Sequence, residues 1–358
     1  MTPETLSAAL ELRMDDARKI VAAVHRGWVP ASGASPPVKL SGASPLEPLV
    51  RRSAANAVRA RGEVPALVVA AVRRSLLDPF VKLALRTHDG HVVEAVRIPL
   101  ERPGRFSVCV SSQAGCALAC AFCATGRLGL ARNLAPWEII EQVREVRATL
   151  GPDERVHGVV FQGMGEPLAN VDRVIEAIHV MREPSALAID ARAITVCTSG
   201  VPSAIRKLAR EVPKVRLGLS IASARRAVRR ALMPIDDAHP LDAVLDAVGE
   251  HARVTGLAPL WAVTPLAGVN DTEEDARALA ERAAEFQRAT GVRPRVSVVP
   301  YNTIEAPRSG ARDPFERGDV AAFVDRLTAH GLRPKVRYSG GGDIAAACGQ
   351  LAGGAEGV

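Results

Sequence analysis

Three cysteines within one short loop constrain this chain more than any other feature. Cys116, Cys120 and Cys123 follow the spacing C-x3-C-x2-C, with Phe122 just before the third. The chain has 358 residues and only six cysteines, too few for a secreted disulfide scaffold. In a reducing compartment, clustered thiols bind metal or carry out chemistry. Thiolates are the usual protein ligands of iron–sulfur clusters. Zinc usually takes four tetrahedral ligands, and no histidine lies within 20 residues of the loop. Three thiolates on a four-iron cluster leave one iron open to a chelating small molecule. The spacing alone also leaves room for a zinc site with a distant fourth ligand, or for three unrelated buried cysteines.

Around this loop the chain has the texture of an α/β protein. From about residue 80, short β-branched runs alternate with amphipathic stretches. Strands are expected over Phe80–Arg86, Val92–Ile98, Ser107–Ser111, His157–Gln162, Ala193–Cys197, Val215–Ile221, Leu260–Thr264, Arg295–Val299 and Lys335–Tyr338. Helices are expected over Pro136–Leu150, Val171–Arg182, Val201–Glu211, Leu241–Thr255, Thr272–Thr290 and Pro314–His330. Asp271 with Glu274 reads as a capping box, and Gly151, Gly256, Gly291 and Gly331 read as helix-ending residues. Repeated strand–helix units fit a barrel or a doubly wound sheet equally well. Before residue 80, residues 4–27, 47–61 and 64–76 read as helical, and 30–48 as a Pro/Ser/Gly-rich linker. This predicts a small helical accessory domain over 1–80 and a catalytic domain over 81–358.

A second motif follows the strand expected to end at Gln162. In Gly163-Met164-Gly165-Glu166-Pro167 the glycines let backbone approach a ligand closely. Together with the cysteine loop, this segment resembles the radical S-adenosylmethionine (SAM) superfamily. Longer strings narrow the resemblance: Val108-Cys109-Val110-Ser111-Ser112-Gln113-Ala114-Gly115-Cys116, Phe161 to Leu168, Gly268-Val269-Asn270-Asp271, and Gly342-Asp343-Ile344-Ala345-Ala346-Ala347-Cys348-Gly349-Gln350-Leu351. Over residues 80–353 they resemble the radical SAM methyltransferases of adenine carbons in rRNA and tRNA. Most of that family modify carbon 2, and a close relative modifies carbon 8.

The resemblance implies a partial (β/α)6 barrel preceded by a small N-terminal helical domain. It implies one [4Fe–4S] cluster on Cys116, Cys120 and Cys123. It also implies SAM at Gly165, Glu166, Cys197, Ser220, Ile221, Ala222 and Asn302. In the family one SAM methylates a cysteine near the C-terminus. A second SAM gives a radical that activates that methyl group, and a resolving cysteine then releases the product by forming a disulfide. By position, Cys348 matches the methylated cysteine, Cys109 the resolving cysteine, and Glu94 the carboxylate that handles a proton.

Charge and composition bear on partners. The net charge of +7 favours a polyanion such as RNA. Arg225, Arg226, Arg229 and Arg230, paired at i, i+4, are expected to form one basic helix face toward phosphates. No signal peptide or membrane-spanning run is expected, which predicts a cytoplasmic protein. A flavodoxin-type electron donor is implied by the resemblance, and a monomer is expected. The chain departs from the family where Cys197 replaces the usual serine and Ala222 the usual histidine. The run Arg337 to Gly342 lacks a second basic residue, and the first 80 residues match poorly. Those departures motivate a second reading, a radical SAM enzyme acting on a peptide or small metabolite.

Overall fold

The computed structural model describes residues 1–25, 38–39, 49–61, 63–304 and 313–352. Strand order decides between the two topologies left open above. One ten-stranded sheet runs β14-β13-β12-β11-β10-β9-β6-β5-β4-β3. Its parallel part is β6 (Arg105–Val110), β9 (Arg155–Phe161), β10 (Ile194–Thr198), β11 (Arg216–Ser220), β12 (Leu260–Val263), β13 (Arg295–Val298) and β14 (Lys335–Val336). These strands follow one another in chain order, with no reversal. A doubly wound sheet needs a switch point where the order reverses. An unreversed order with right-handed crossovers puts the helices on one side and curls the sheet toward a barrel. β3 (Val68–Arg74) and β14 do not pair, so the barrel is open.

The crossovers are α4 (Pro136–Ala148), α5 (Val171–Arg182), α6 (Pro202–Glu211), α7 (Arg226–Leu232) with α8 (Leu241–Thr255), α9 (Glu273–Thr290) and α10 (Val320–Ala329). Antiparallel strands β3, β4 (Val81–Arg86) and β5 (Val92–Pro99) extend the β6 edge. All nine expected strands are present. The short pair β7 (Gln113–Cys116) and β8 (Gly129–Asn133) was not expected.

Several boundaries differ for identifiable reasons. The helix expected over 64–76 is instead a strand, because its valines and alanines complete a ladder on β4. The helix expected over 4–27 is two, α1 (Pro3–Leu10) and α2 (Met14–His25), broken where Glu11 turns left-handed at φ 54°; its last two positions lie outside the described residues. In the stretch expected over 47–61, the helix is α3 (Arg52–Arg61), and the described residues 49–51 ahead of it are not helical. The expected 30–48 linker also lies outside the described residues, except for β1 (Val38–Lys39), which pairs with β2 (Glu63–Val64). The capping box on α9 is Thr272 with Asp275, one residue later than expected. Gly256, Gly291 and Gly331 have positive φ, whereas Gly151 does not: α4 ends at Ala148, capped by Thr149. The C-terminal helix starts at Val320, where Asp319 accepts a bond from the Ala322 amide, not at Pro314.

The N-terminal helices bury Leu10, Ile20, Ala23, Ala54 and Val58 against one another. They meet the barrel where Arg144 and Arg147 of α4 donate to the carbonyls of Val24 and His25, at the negative end of α2.

Buried histidines make this fold acid-sensitive. Burial lowers the pKa of His251 on α8 to about 4. It lowers that of His25 to about 3, with Arg144 adding to the effect. In the unfolded chain a histidine titrates near 6.5. Below that value the unfolded state binds a proton that the fold refuses, so stability falls as pH drops from 6.5 toward 4. We expect His251→Leu to flatten the pH dependence of the thermal midpoint across that window. An unchanged slope would contradict this account.

Candidate active site

The cysteine loop leaves β7 at Cys116 and returns into β8. Ala119 holds a left-handed conformation at φ 49°. The Cys123 amide donates to the Cys120 carbonyl at 3.1 Å. Gly126 must be glycine, because a Cβ there would sit 2.9 Å from the backbone N and O of Cys120. Burial pushes the Cys116 thiol up to about 11. Burial first, and then the neighbouring thiols, push Cys120 up to about 12. A cationic iron centre would reverse this and hold the sulfurs as thiolates. Among the described residues, no three His, Cys, Asp or Glu side chains are arranged to hold a single metal ion. A cubane carries its irons at separate corners, so its ligands need not converge on one point. The donor set, three sulfurs without histidine or carboxylate, suits an iron–sulfur cluster.

Cys120 and Cys123 open onto a cavity at the C-terminal ends of the parallel strands. Gly165, Glu166, Cys197, Ser220 and Ala222, all expected at the SAM site, line it. Ile221 and Asn302 lie just behind. The Ile221 amide donates to Ala262 O at 2.9 Å, and the Asn302 amide nitrogen donates to Cys348 O at 3.2 Å and Ser339 Oγ at 2.8 Å. Gly165 has φ 95°, and a Cβ there would strike Gln113 at 2.5 Å. Glu166 is buried, which raises its pKa, and its carboxylate accepts from the amides of Leu168 at 2.9 Å and Ser199 at 2.8 Å. Cys197 contacts Gln162 Oε1 at 3.7 Å. Ala222 turns left-handed at φ 52° and presents only backbone and a methyl group.

A second cavity adjoins the first. Cys109 and Cys348 both line it, and it shares Cys348, Gly349 and Gln162 with the cofactor cavity. Burial raises the pKa of both thiols; for Cys109 the neighbouring Cys348 adds to the rise, and for both Arg337 opposes it. Glu94 does not line this cavity. It is 1% exposed on β5, where its carboxylate meets Lys82 Nζ at 3.0 Å and accepts from the Ala352 amide at 2.9 Å. Its strand neighbour Val96 pairs with Cys109, so Glu94 and Cys109 share the sheet's inner face.

The basic face expected on Arg225, Arg226, Arg229 and Arg230 does not form. Arg229 is fully buried, donating to Asp236 at 3.0 Å and to the carbonyls of Ser199 at 2.7 Å, Ser220 at 3.1 Å and Ile221 at 2.7 Å. Arg225 pairs with Glu274 and Asp275, Arg226 lies 4.0 Å from Asp236, and Arg230 pairs with Asp237. The missing second basic residue near Arg337 also has a steric side: a Cβ on Gly340 would lie 2.5 Å from Asp78 and Phe80.

Supporting residues went unassigned in the sequence reading, though some stand in its quoted strings. Asn270 holds Ala222, donating to its carbonyl at 2.7 Å. Gln113 accepts from the Glu166 amide at 2.8 Å. Arg229 had no signal beyond its charge. Arg229→Ala leaves Asp236 buried without its main partner, which should cost about 3–5 kcal/mol. Chemical denaturation should show that loss, because the carbonyls of Ser220 and Ile221 also lose their donor. Wild-type stability in the variant would refute the role.

The Radical SAM superfamily model matches residues 110–283. A probable RNA methyltransferase of Sorangium cellulosum is 56% identical over 98% of this chain and 91% of that protein. The dual-specificity RNA methyltransferase RlmN of Syntrophobacter fumaroxidans is 41% identical over 76% of this chain and 77% of that protein. The crystal structure of a radical SAM methyltransferase from Sphaerobacter thermophilus superposes with a TM-score of 0.80 at 30% identity, covering 98% of this chain and 96% of that one. With these site residues on that barrel, and relatives this similar along nearly its whole length, the chain belongs to the RlmN-like family of radical SAM RNA methyltransferases.

Proposed function

We propose that this enzyme methylates an adenine carbon, carbon 2 in preference to carbon 8, in rRNA, tRNA or both. One observation carries the reading: Cys348 lines both the cavity onto which Cys120 and Cys123 open and the cavity of Cys109. A sulfur so placed faces a cofactor on one side and a second thiol on the other. A [4Fe–4S] cluster on Cys116, Cys120 and Cys123, with SAM in the adjoining cavity, would supply one-electron cleavage of the sulfonium.

The chain's own residues then divide the work. Gly165, Glu166, Cys197, Ser220, Ile221, Ala222 and Asn302 seat SAM. Cys348 takes a methyl group from one SAM by displacement and carries that carbon to the base. Cys109 attacks the Cys348 sulfur; an S–S bond forms, the S–C bond breaks, and its electron pair passes to the product carbon, which takes a proton. Glu94, on the same inner face as Cys109, handles a proton in this resolution. The N-terminal helices recruit RNA, a flavodoxin-type protein donates the electron, and the enzyme works in the cytoplasm as a monomer. No helix among the described residues is long and apolar enough to cross a membrane.

Three outcomes test this reading. Protein made with ample SAM should carry one added methyl on the Cys348 peptide, read by mass spectrometry. RNA from a strain lacking the protein should lose one methyladenosine, and an unchanged set of methyladenosines would overturn the proposal. Cys109→Ala should leave RNA covalently attached to Cys348, visible as a ribonuclease-sensitive band on a denaturing gel. Normal release of product by that variant would remove Cys109 from the mechanism. Loss of SAM cleavage on RNA, with cleavage on a peptide or metabolite instead, would favour the second reading.

A further inference from the structure

The open edge of the barrel carries a charge pattern that the site chemistry does not use. Among the described residues, β14 pairs only with β13. Along these two strands lies an open depression lined by Arg293, Arg295, Arg333, Lys335 and Arg337, with no acidic residue in its lining. Five cations in one depression compare with a net +7 for the entire chain. Among the described residues, none of the five forms an ion pair, in contrast to Arg206, Arg225, Arg230 and Arg282, which all do. Arg293, Arg295, Arg333 and Lys335 are exposed.

The track has a direction. Lys335 pairs with Ser297, and Ser297 with Ala262, which lines the cofactor cavity. Side chains alternate along a strand, so Arg295, Lys335 and Arg337 share that inner face. Arg337 ends the track inside the cavity of Cys109 and Cys348, where its guanidinium donates to Gln162 Oε1 at 3.0 Å. Beside it, Tyr338 is 71% exposed.

We propose that this edge is the path along which the RNA backbone reaches Cys348. The depression holds successive phosphates, and the Tyr338 ring stacks a base next to the target. Unpaired cations in a row suit phosphates, and an exposed aromatic ring beside them suits single-stranded RNA. An acidic electron donor would also be drawn to positive charge. It must approach the cluster, however, and the track leads to the cavity of the two thiols. The inference rests on RNA being the substrate.

The test uses the reconstituted full-length enzyme and a single-stranded oligoribonucleotide containing adenine. Arg333→Gln with Lys335→Gln should weaken RNA binding several-fold at low salt. Removing two phosphate contacts from a single strand should flatten the slope of log K against log[salt] by about 1.4. SAM cleavage without RNA and methylation of Cys348 should match wild type. Arg102→Gln, an exposed arginine away from the track, serves as the control. Wild-type affinity and slope in the double variant would overturn the proposal, as would an equal loss in the control. Weaker binding of a flavodoxin-type donor with RNA binding intact would overturn it too and reassign the surface. If the wild-type enzyme neither binds nor methylates RNA, the functional reading falls with it. If wild type methylates RNA and the double variant does so equally well, this inference alone falls.

Discussion

The site depends on one seam, where the C-terminal loop lies directly on the cysteine loop. The Ala124 amide, next to Cys123, donates to the Gly349 carbonyl, next to Cys348, at 2.8 Å. Gly349 has φ 86°, and a Cβ there would stand 3.3 Å from the Phe122 carbonyl. Only a glycine in that conformation lets the two backbones meet. This contact brings the loop of Cys348 beside the loop of Cys116, Cys120 and Cys123, although the barrel's chain lies between them.

The rest of the C-terminal loop is fastened by polar contacts from the sheet's other edge. Lys82 donates to the Ala345 carbonyl at 3.0 Å, Asp78 accepts from the Gly341 amide at 2.9 Å, and Glu94 accepts from the Ala352 amide at 2.9 Å. The antiparallel strands β4 and β5 therefore act as a clamp for the loop that carries Cys348. Glu94 anchors the loop with one carboxylate oxygen on the Ala352 amide, while its other oxygen pairs with Lys82.

The two departures from the family pattern, Cys197 and Ala222, also have a structural explanation. Cys197 keeps a polar partner in Gln162, and a Cβ on its neighbour Gly218 would come within 2.9 Å of the Cys197 sulfur. The larger atom is accommodated because Gly218 leaves room. At Ala222 the needed contribution is backbone shape, which Asn270 supplies by holding its carbonyl.

Much of this could be read from the chain before any coordinates. Every parallel strand was visible as a short run between helical stretches, and helices such as Val171–Arg182 and Leu241–Thr255 match residue for residue, because burial on one face imposes a local period. The cluster cysteines were legible because their spacing is local. Helix starts were less so: Thr272 rather than Asp271 caps α9, a choice between adjacent polar residues that only the helix's packing settles. Residues 64–76 were misread because alanine and valine serve either structure until a neighbouring strand offers a ladder. The sequence by itself determined which residues bear sulfur and which segments alternate. Only the tertiary structure decided that the sheet runs unreversed into an open barrel, that Arg229 is a buried anchor instead of a surface charge, and that Cys109 meets Cys348 across one cavity. Those outcomes depend on contacts between residues far apart in the chain, and no local pattern encodes them.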